Sequence, residues 1–118
     1  MSRIAGTCFV KVDGDQLSLT GGIEVPMNLR VKESIVDLGG GVDFKETHRA
    51  PFVKGTYKVP KDFPLKKLEE GTDMTVTAEL ANGKVYVLKN AWLEGEANHN
   101  AEEGTTELQF NGQEGFYQ

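Results

Sequence analysis

Apolar and polar residues alternate along most of the chain, and the pattern is clearest in residues 75–92, TVTAELANGKVYVLKNAW. Asn-Gly between two alternating runs predicts a β-hairpin closed by a two-residue type I′ turn, because both central positions of that turn need positive φ. A turn at Asn82–Gly83 sets Ala81 opposite Lys84. The pairs Leu80/Val85, Ala78/Val87 and Val76/Lys89 then share one face, while Glu79/Tyr86, Thr77/Leu88 and Trp92 fall on the other. Both faces carry apolar residues. One is expected to pack inside the subunit, and the other needs a helix or a partner surface.

The same period predicts further strands. TCFVKVDGDQLSLTG reads as strands over 7–12 and 16–20 joined by a turn at Asp13–Gly14–Asp15. The two aspartates resemble the start of a calcium loop, but the later ligands of that pattern are missing, so they are read as turn residues. IEVPMNLRV alternates Ile23, Val25 and Met27, and Pro26 confines that stretch to an edge or bend. Strands are also expected at 42–48 and 52–59, on either side of Ala50–Pro51, and in the last segment, where Leu108 and Phe110 alternate. DFPLKKLEEG is the one helical pattern. Asp62 is positioned to cap it, Pro64 suits its first turn, Gly71 ends it, and Leu65 and Leu68 share a face meant for the sheet. At about two turns it is too short to stand alone. The expected fold is a mainly β domain, a sandwich or barrel of antiparallel strands with one short α-helix, spanning residues 1–118.

Residues 31–42 break the pattern. They end in LGGGV, where Gly39, Gly40 and Gly41 carry high conformational entropy and no packing surface, so a mobile Gly-rich arm is expected here. A phosphate-binding loop needs a strand before it, a helix after it and a following Lys-Ser/Thr, and none is present.

Composition narrows the function classes. Hydrophobic residues make up 38% and charged residues 26% of 118, enough to build one core and too little length for two. No apolar run reaches the roughly 20 residues needed to span a bilayer, and MSRIAGTCFVKV lacks a signal-peptide core. The expectation is a protein without membrane binding that stays in the producing cell unless released by lysis or in a particle. Cys8 is the sole cysteine, so neither an internal disulfide nor a thiolate metal site is expected. The formal net charge is −5, against the sign of a phosphate-gripping protein. The charge is also polarised. Residues 94–118 hold six glutamates and no Lys or Arg, whereas 42–58 balance Asp43 and Glu46 against Lys45, Arg49, Lys54 and Lys58. Opposite fields of this kind suit subunits meeting in register, or simply solvated faces.

No catalytic constellation emerges. His48 and His99 lie far apart outside any metal-binding spacing, no Ser sits in a nucleophile elbow, and nothing singles out two of the acids, Glu102 and Glu103 included. Neither an enzyme nor a cofactor is expected. FKETHRAPFVKGTYK offers one alternative. It interleaves Phe44, Phe52 and Tyr57 with Lys45, Arg49, Lys54 and Lys58, as a small β-barrel binding single-stranded nucleic acid does. Plain strand alternation, aromatics inward and lysines outward, explains it as well.

Four segments in order, KVDGDQLSLTGGIEV, ETHRAPFVKGTY, TDMTVTAELANGKVYVLKNAWLEGEA and EGTTELQFNGQEG, resemble the tail tube proteins of contractile-tailed, Mu-like bacteriophages over nearly the whole chain. The specific features are the long hairpin and the run Arg49, Pro51, Phe52 and Gly55 in Arg-x-Pro-aromatic-x-x-Gly. The resemblance implies a structural virion protein of a phage, prophage or bacteriocin particle, assembled in the host bacterial cytoplasm. Six such subunits form a ring, rings stack into a hollow tube, and the partners are further copies, the tail sheath, a baseplate or tube initiator and the tape-measure protein. DNA is passing cargo without specific binding. On this reading the subunit contacts are expected at Lys32, Glu33, Gly39, Gly40 and Gly41 of the arm, at the Arg49, Pro51 and Phe52 corner, and at Glu79, Tyr86 and Leu88 of the central hairpin.

Overall fold

Alternation is realised as nine strands and one helix in the computed structural model, which describes residues 8–118. In chain order they are β1 (Phe9–Val12), β2 (Asp15–Leu17), β3 (Arg30–Val36), β4 (Val42–His48), β5 (Phe52–Lys58), α1 (Leu65–Glu70), β6 (Met74–Glu79), β7 (Val85–Leu93), β8 (His99–Asn100) and β9 (Thr105–Tyr117). All the strand pairs are antiparallel. The mainly β architecture with one short helix matches the sequence expectation; the start of the expected 7–12 strand, Thr7, lies outside the described residues.

The main sheet runs β2-β1-β6-β7-β9-β5, with β8 beside β9. Its two ends meet. The chain leaving β2 runs along the outer edge of β5, where Lys58 N–H donates to Ser18 O (2.8 Å), Thr20 N–H to Thr56 O (2.9 Å), and Glu24 and Lys54 exchange backbone bonds of 2.7 and 3.0 Å. The sheet thereby closes into a barrel, which removes its edges. Val10, Val12, Val53, Tyr57, Val76, Ala78, Leu88, Ala91 and Phe110 are wholly buried within it, with Tyr86 and Leu108 nearly so.

Turn chemistry sets the registers, and one differs from expectation. The two-residue turn with positive φ at both positions occurs at Asp13 (47°) and Gly14 (89°), where Val12 pairs with Asp15. The Asp13 carboxylate accepts from Thr75 N–H at 2.8 Å, and Asp15 accepts from Lys67 Nζ at 2.6 Å, so both aspartates are spent on local structure. At the central hairpin only Gly83 is left-handed (φ 89°). Gly83 N–H donates to Leu80 O (3.0 Å) and Leu80 N–H to Lys84 O (2.8 Å), giving a three-residue loop, the other common hairpin closure. That one extra residue slips the pairing, so Val76 faces Leu88, Ala78 faces Tyr86, Thr77 faces Val87 and Glu79 faces Val85. A slip of one residue flips a strand's faces. Tyr86 and Leu88 therefore point into the barrel, and Val85 and Val87 point out.

The helix also departs in detail. Asp62 does not cap it: Pro64 occupies the N-cap without a side-chain hydrogen bond. Leu68 is buried against the core while Leu65 stays 60% exposed, so the two leucines do not share the burial expected of them. Gly71 ends the helix as predicted, and a Cβ there would run into Met74.

Candidate assembly surface

β3 and β4 pair with each other alone, from Arg30↔His48 to Val36↔Val42, and every residue of both is exposed. The Gly-rich arm expected at 31–42 is thus the outgoing strand and turn of a freestanding hairpin, and the strand expected at 42–48 is its return limb rather than a strand of the main sheet. Asp37 organises the tip. Its Oδ1 accepts from Gly39 N–H (3.0 Å) and Gly41 N–H (2.8 Å), and Gly40 takes the left-handed conformation (φ 87°) the turn requires.

The arm continues the barrel's own strands. Arg49 N–H donates to Leu29 O at the foot of the β3–β4 ladder, and the isolated Glu24↔Lys54 bridge lies five residues further into the barrel; between them the outgoing chain bends at Met27 and Leu29, while β4 runs into β5 through residues 49–51 without a bend. From Lys58 to Gly40 an extended chain reaches about 60 Å at 3.3 Å per residue, and the molecule's longest axis is 61 Å. The arm therefore projects lengthwise from the barrel. A radius of gyration of 17.1 Å, against about 13.5 Å for a compact chain of this length, reflects the same projection.

The arm's surface is mixed. Phe44, 55% exposed, shares a face with Val36 and Val42, while Ile35 and Val31 lie on the other and Leu38 stands fully exposed at the tip. Cross-strand pairs Lys32–Glu46 and Glu33–Lys45, each 3.6 Å, give it some internal support, and Lys32 Nζ lies 5.8 Å from the Phe44 ring centre. Exposed pairs of this kind contribute little individually.

At the arm's root, Arg49 Nε donates to Asn28 O (2.9 Å), and its guanidinium lies 5.3 Å from the Phe52 ring centre. The Tyr117 hydroxyl donates to Pro26 O (3.0 Å), and its ring meets Tyr86 edge to face at 4.9 Å. Beneath them, Gly115 leaves room for the Tyr86 ring and for Pro51, whose Cβ a side chain there would approach to 2.6 Å. Burial raises the Tyr86 pKa above the ordinary phenol value, Tyr117 adds to that, and Arg49 opposes it.

The expected contact residues sort as follows. Lys32, Glu33, Gly39, Gly40 and Gly41 are exposed on the arm, and Arg49 is exposed at its root; Phe52 and Glu79 are half-buried, and Pro51 is buried. Tyr86 and Leu88 are not surface residues; the register slip places both in the core. On the outer face of the central hairpin Val85 is half-buried and Val87 is buried at 7% exposure, with Phe116 opposite Val87 and Lys89 Nζ 5.5 Å from the Phe116 ring centre. Phe116 lies in a 13-residue β9 that runs on past the Leu108/Phe110 alternation, beyond Gly112 and Gly115, which interrupt that pattern.

The nucleic-acid alternative loses its surface. Phe44 lies on the arm, Phe52 is under Arg49 at the root, and Tyr57 is wholly buried, so the three aromatics form no common platform. Cys8 is partly buried. Among the described residues, no three His, Cys, Asp or Glu side chains converge as metal ligands, and no helix is long and apolar enough to cross a membrane.

Comparison with known proteins gives a consistent result. The sequence profile of the family described as phage tail tube protein matches residues 1–117. The fold resembles the sheath/tube terminator of an extracellular contractile injection system, PVC, in its extended state (TM-score 0.65, 11% identity, 100% of this chain and 97% of that one). It also resembles the tube-terminating cap of the anti-feeding prophage (0.62, 11%, 100% and 93%) and Hcp1 from Flavobacterium johnsoniae (0.63, 10%, 93% and 93%). Among curated proteins, none matches in sequence.

Proposed function

The chain belongs to the phage tail tube protein family, and from that premise we propose that six copies close into a ring and that rings stack, arm first, into the hollow tube of a contractile tail or related particle. The arm carries the proposal. An isolated two-stranded hairpin is marginal in water, yet this one holds Ile35, Val36, Leu38, Val42 and Phe44 exposed on a 19-residue excursion from a complete barrel. Such a surface gains by burial against another copy, and a contact between unlike surfaces repeats without limit unless rotation closes it.

The remaining contacts follow from position. Lys32, Glu33 and the Gly39–Gly40–Gly41 tip serve the axial neighbour. Arg49, Pro51 and Phe52 set the angle at which the arm leaves, and Glu79 with Val85 and Phe116 supplies a lateral face. Tape-measure and initiator proteins fix length and start, and a sheath surrounds the tube. A net charge of −5 per copy keeps DNA moving through the lumen instead of held by counterion release. The role is structural, with assembly in the host bacterial cytoplasm.

Electron microscopy tests this directly. Concentrated protein, alone or with tail initiator components, is expected to form rings or tubes of uniform width. Monodisperse monomer under all these conditions overturns the proposal.

A further inference from the structure

We infer that the arm tip of one copy seats in the groove between α1 and the far end of β5 on the next copy, the inference resting on the stacked-tube reading above. The direction of β5 sets the polarity. β5 follows the arm after a three-residue link and finishes at Lys58; the groove starts at the next residue, Val59. Tip and groove thus lie at opposite ends of a molecule whose longest axis is 61 Å, the arrangement a head-to-tail repeat requires.

Chemistry matches the two ends. The groove has a volume of about 290 Å³, roughly twice the ~150 Å³ cavity that holds a benzene ring, so it accommodates a leucine and a valine. Val59, Pro60, Phe63 and Leu65 line it, and its charged or titratable lining residues are Lys61 and His99, without a carboxylate. Leu65 is exposed although it sits on the helix that otherwise serves the core. The tip presents the complementary set: Leu38 and Val42 as apolar anchors, with Asp37 and Asp43 as the charged residues between 35 and 43. Leu38 and Val42 on one surface and Leu65 on the other are exposed, and the signs of charge agree.

The tip conformation suits insertion. The two Asp37 bonds and the left-handed Gly40 fix a narrow turn with no side chain at three successive positions, so Leu38 leads with little bulk behind it. The Asp37 carboxylate, fixed by the two backbone N–H groups, is placed beside Leu38 to meet Lys61.

Crosslinking in assembled tubes provides the test. In a Cys8→Ser background, Leu38→Cys and Leu65→Cys chains mixed and assembled are expected to give a covalent dimer with a short bismaleimide, and Leu38→Cys with Gln113→Cys is expected to give none. A separate Leu65→Lys chain, altered at an exposed side chain, should remain folded yet need at least about tenfold higher concentration to form tubes, the loss expected when one leucine is no longer buried. Tubes that form without the Leu38/Leu65 crosslink, or that form from Leu65→Lys at the unaltered chain's concentration, overturn the inference and leave the tube reading intact. Shielding of Leu65→Cys from a thiol reagent by sheath protein alone assigns the groove to another occupant and overturns it too. Failure of the unaltered protein to make rings or tubes overturns the tube reading, and this inference with it.

Discussion

β4 and β5 are both seven-residue strands, separated by three residues, with similar sequences: VDFKETH and FVKGTYK. Each mixes β-branched and aromatic residues with polar ones, and each carries Lys. In β4 every residue is exposed; in β5 Val53, Gly55 and Tyr57 are buried. The difference lies in neighbours. β5 has β9 on one edge, residues 18–24 on the other and a core beneath it, whereas β4 has β3 alone. Alternation therefore specifies a strand with two unlike faces and leaves open whether the covering surface comes from the same molecule.

The contrast predicts a steep gradient of mutational cost. Phe110→Ala, at a fully buried position in the barrel, is expected to lower stability by about 3–5 kcal/mol, read by urea denaturation. A cost below about 1 kcal/mol would mean that the barrel interior is no better packed than the arm. Tyr57 gives an intermediate effect. Burial raises its pKa well above 10.0, so the folded chain keeps a proton that the unfolded chain releases. Stability is then complete below pH 10 and declines above it, by about 1.4 kcal/mol per pH unit. Tyr57→Phe should reduce this alkaline slope and leave only the part due to Tyr86, whose pKa burial also raises; the Tyr57 hydroxyl meets no protein hydrogen-bond partner among the described residues, so its removal breaks no bond. An unchanged slope assigns the alkaline transition to another group. The smallest effect is expected on the arm: Phe44→Ala in the unassembled subunit should change stability by no more than about 0.5 kcal/mol. A larger loss would show that the arm packs on its own barrel in solution.

How far the sequence was legible follows the same division. The strands expected at 42–48 and 52–59, the helix expected in DFPLKKLEEG and the hairpin around Asn82–Gly83 are local patterns, and each is present, at Val42–His48, Phe52–Lys58, Leu65–Glu70 and between β6 and β7. The hairpin's register was not legible, because Ala-Asn-Gly serves either a two-residue turn with Asn and Gly both left-handed or a three-residue loop with Gly alone. The choice moved Tyr86 and Leu88 from a supposed contact surface into the core. Barrel closure was equally hidden. It depends on residues 18–24, where paired glycines and scattered bridges replace a regular ladder. For the assembly surface, the three glycines marked the arm's turn, but nothing local indicated that 42–48 would leave the sheet with it. That follows from the three-dimensional course of the chain past Arg49 and Pro51.

The unbent passage of the chain from β4 into β5 bears on mechanics. A pull on the arm is directed along the strands of the barrel wall, so the hydrogen bonds between β5, β9 and residues 18–24 are strained together, sideways, instead of parting one after another like a zip. Because the handle and the wall share the same backbone, tension applied at the tip enters each barrel across its whole height.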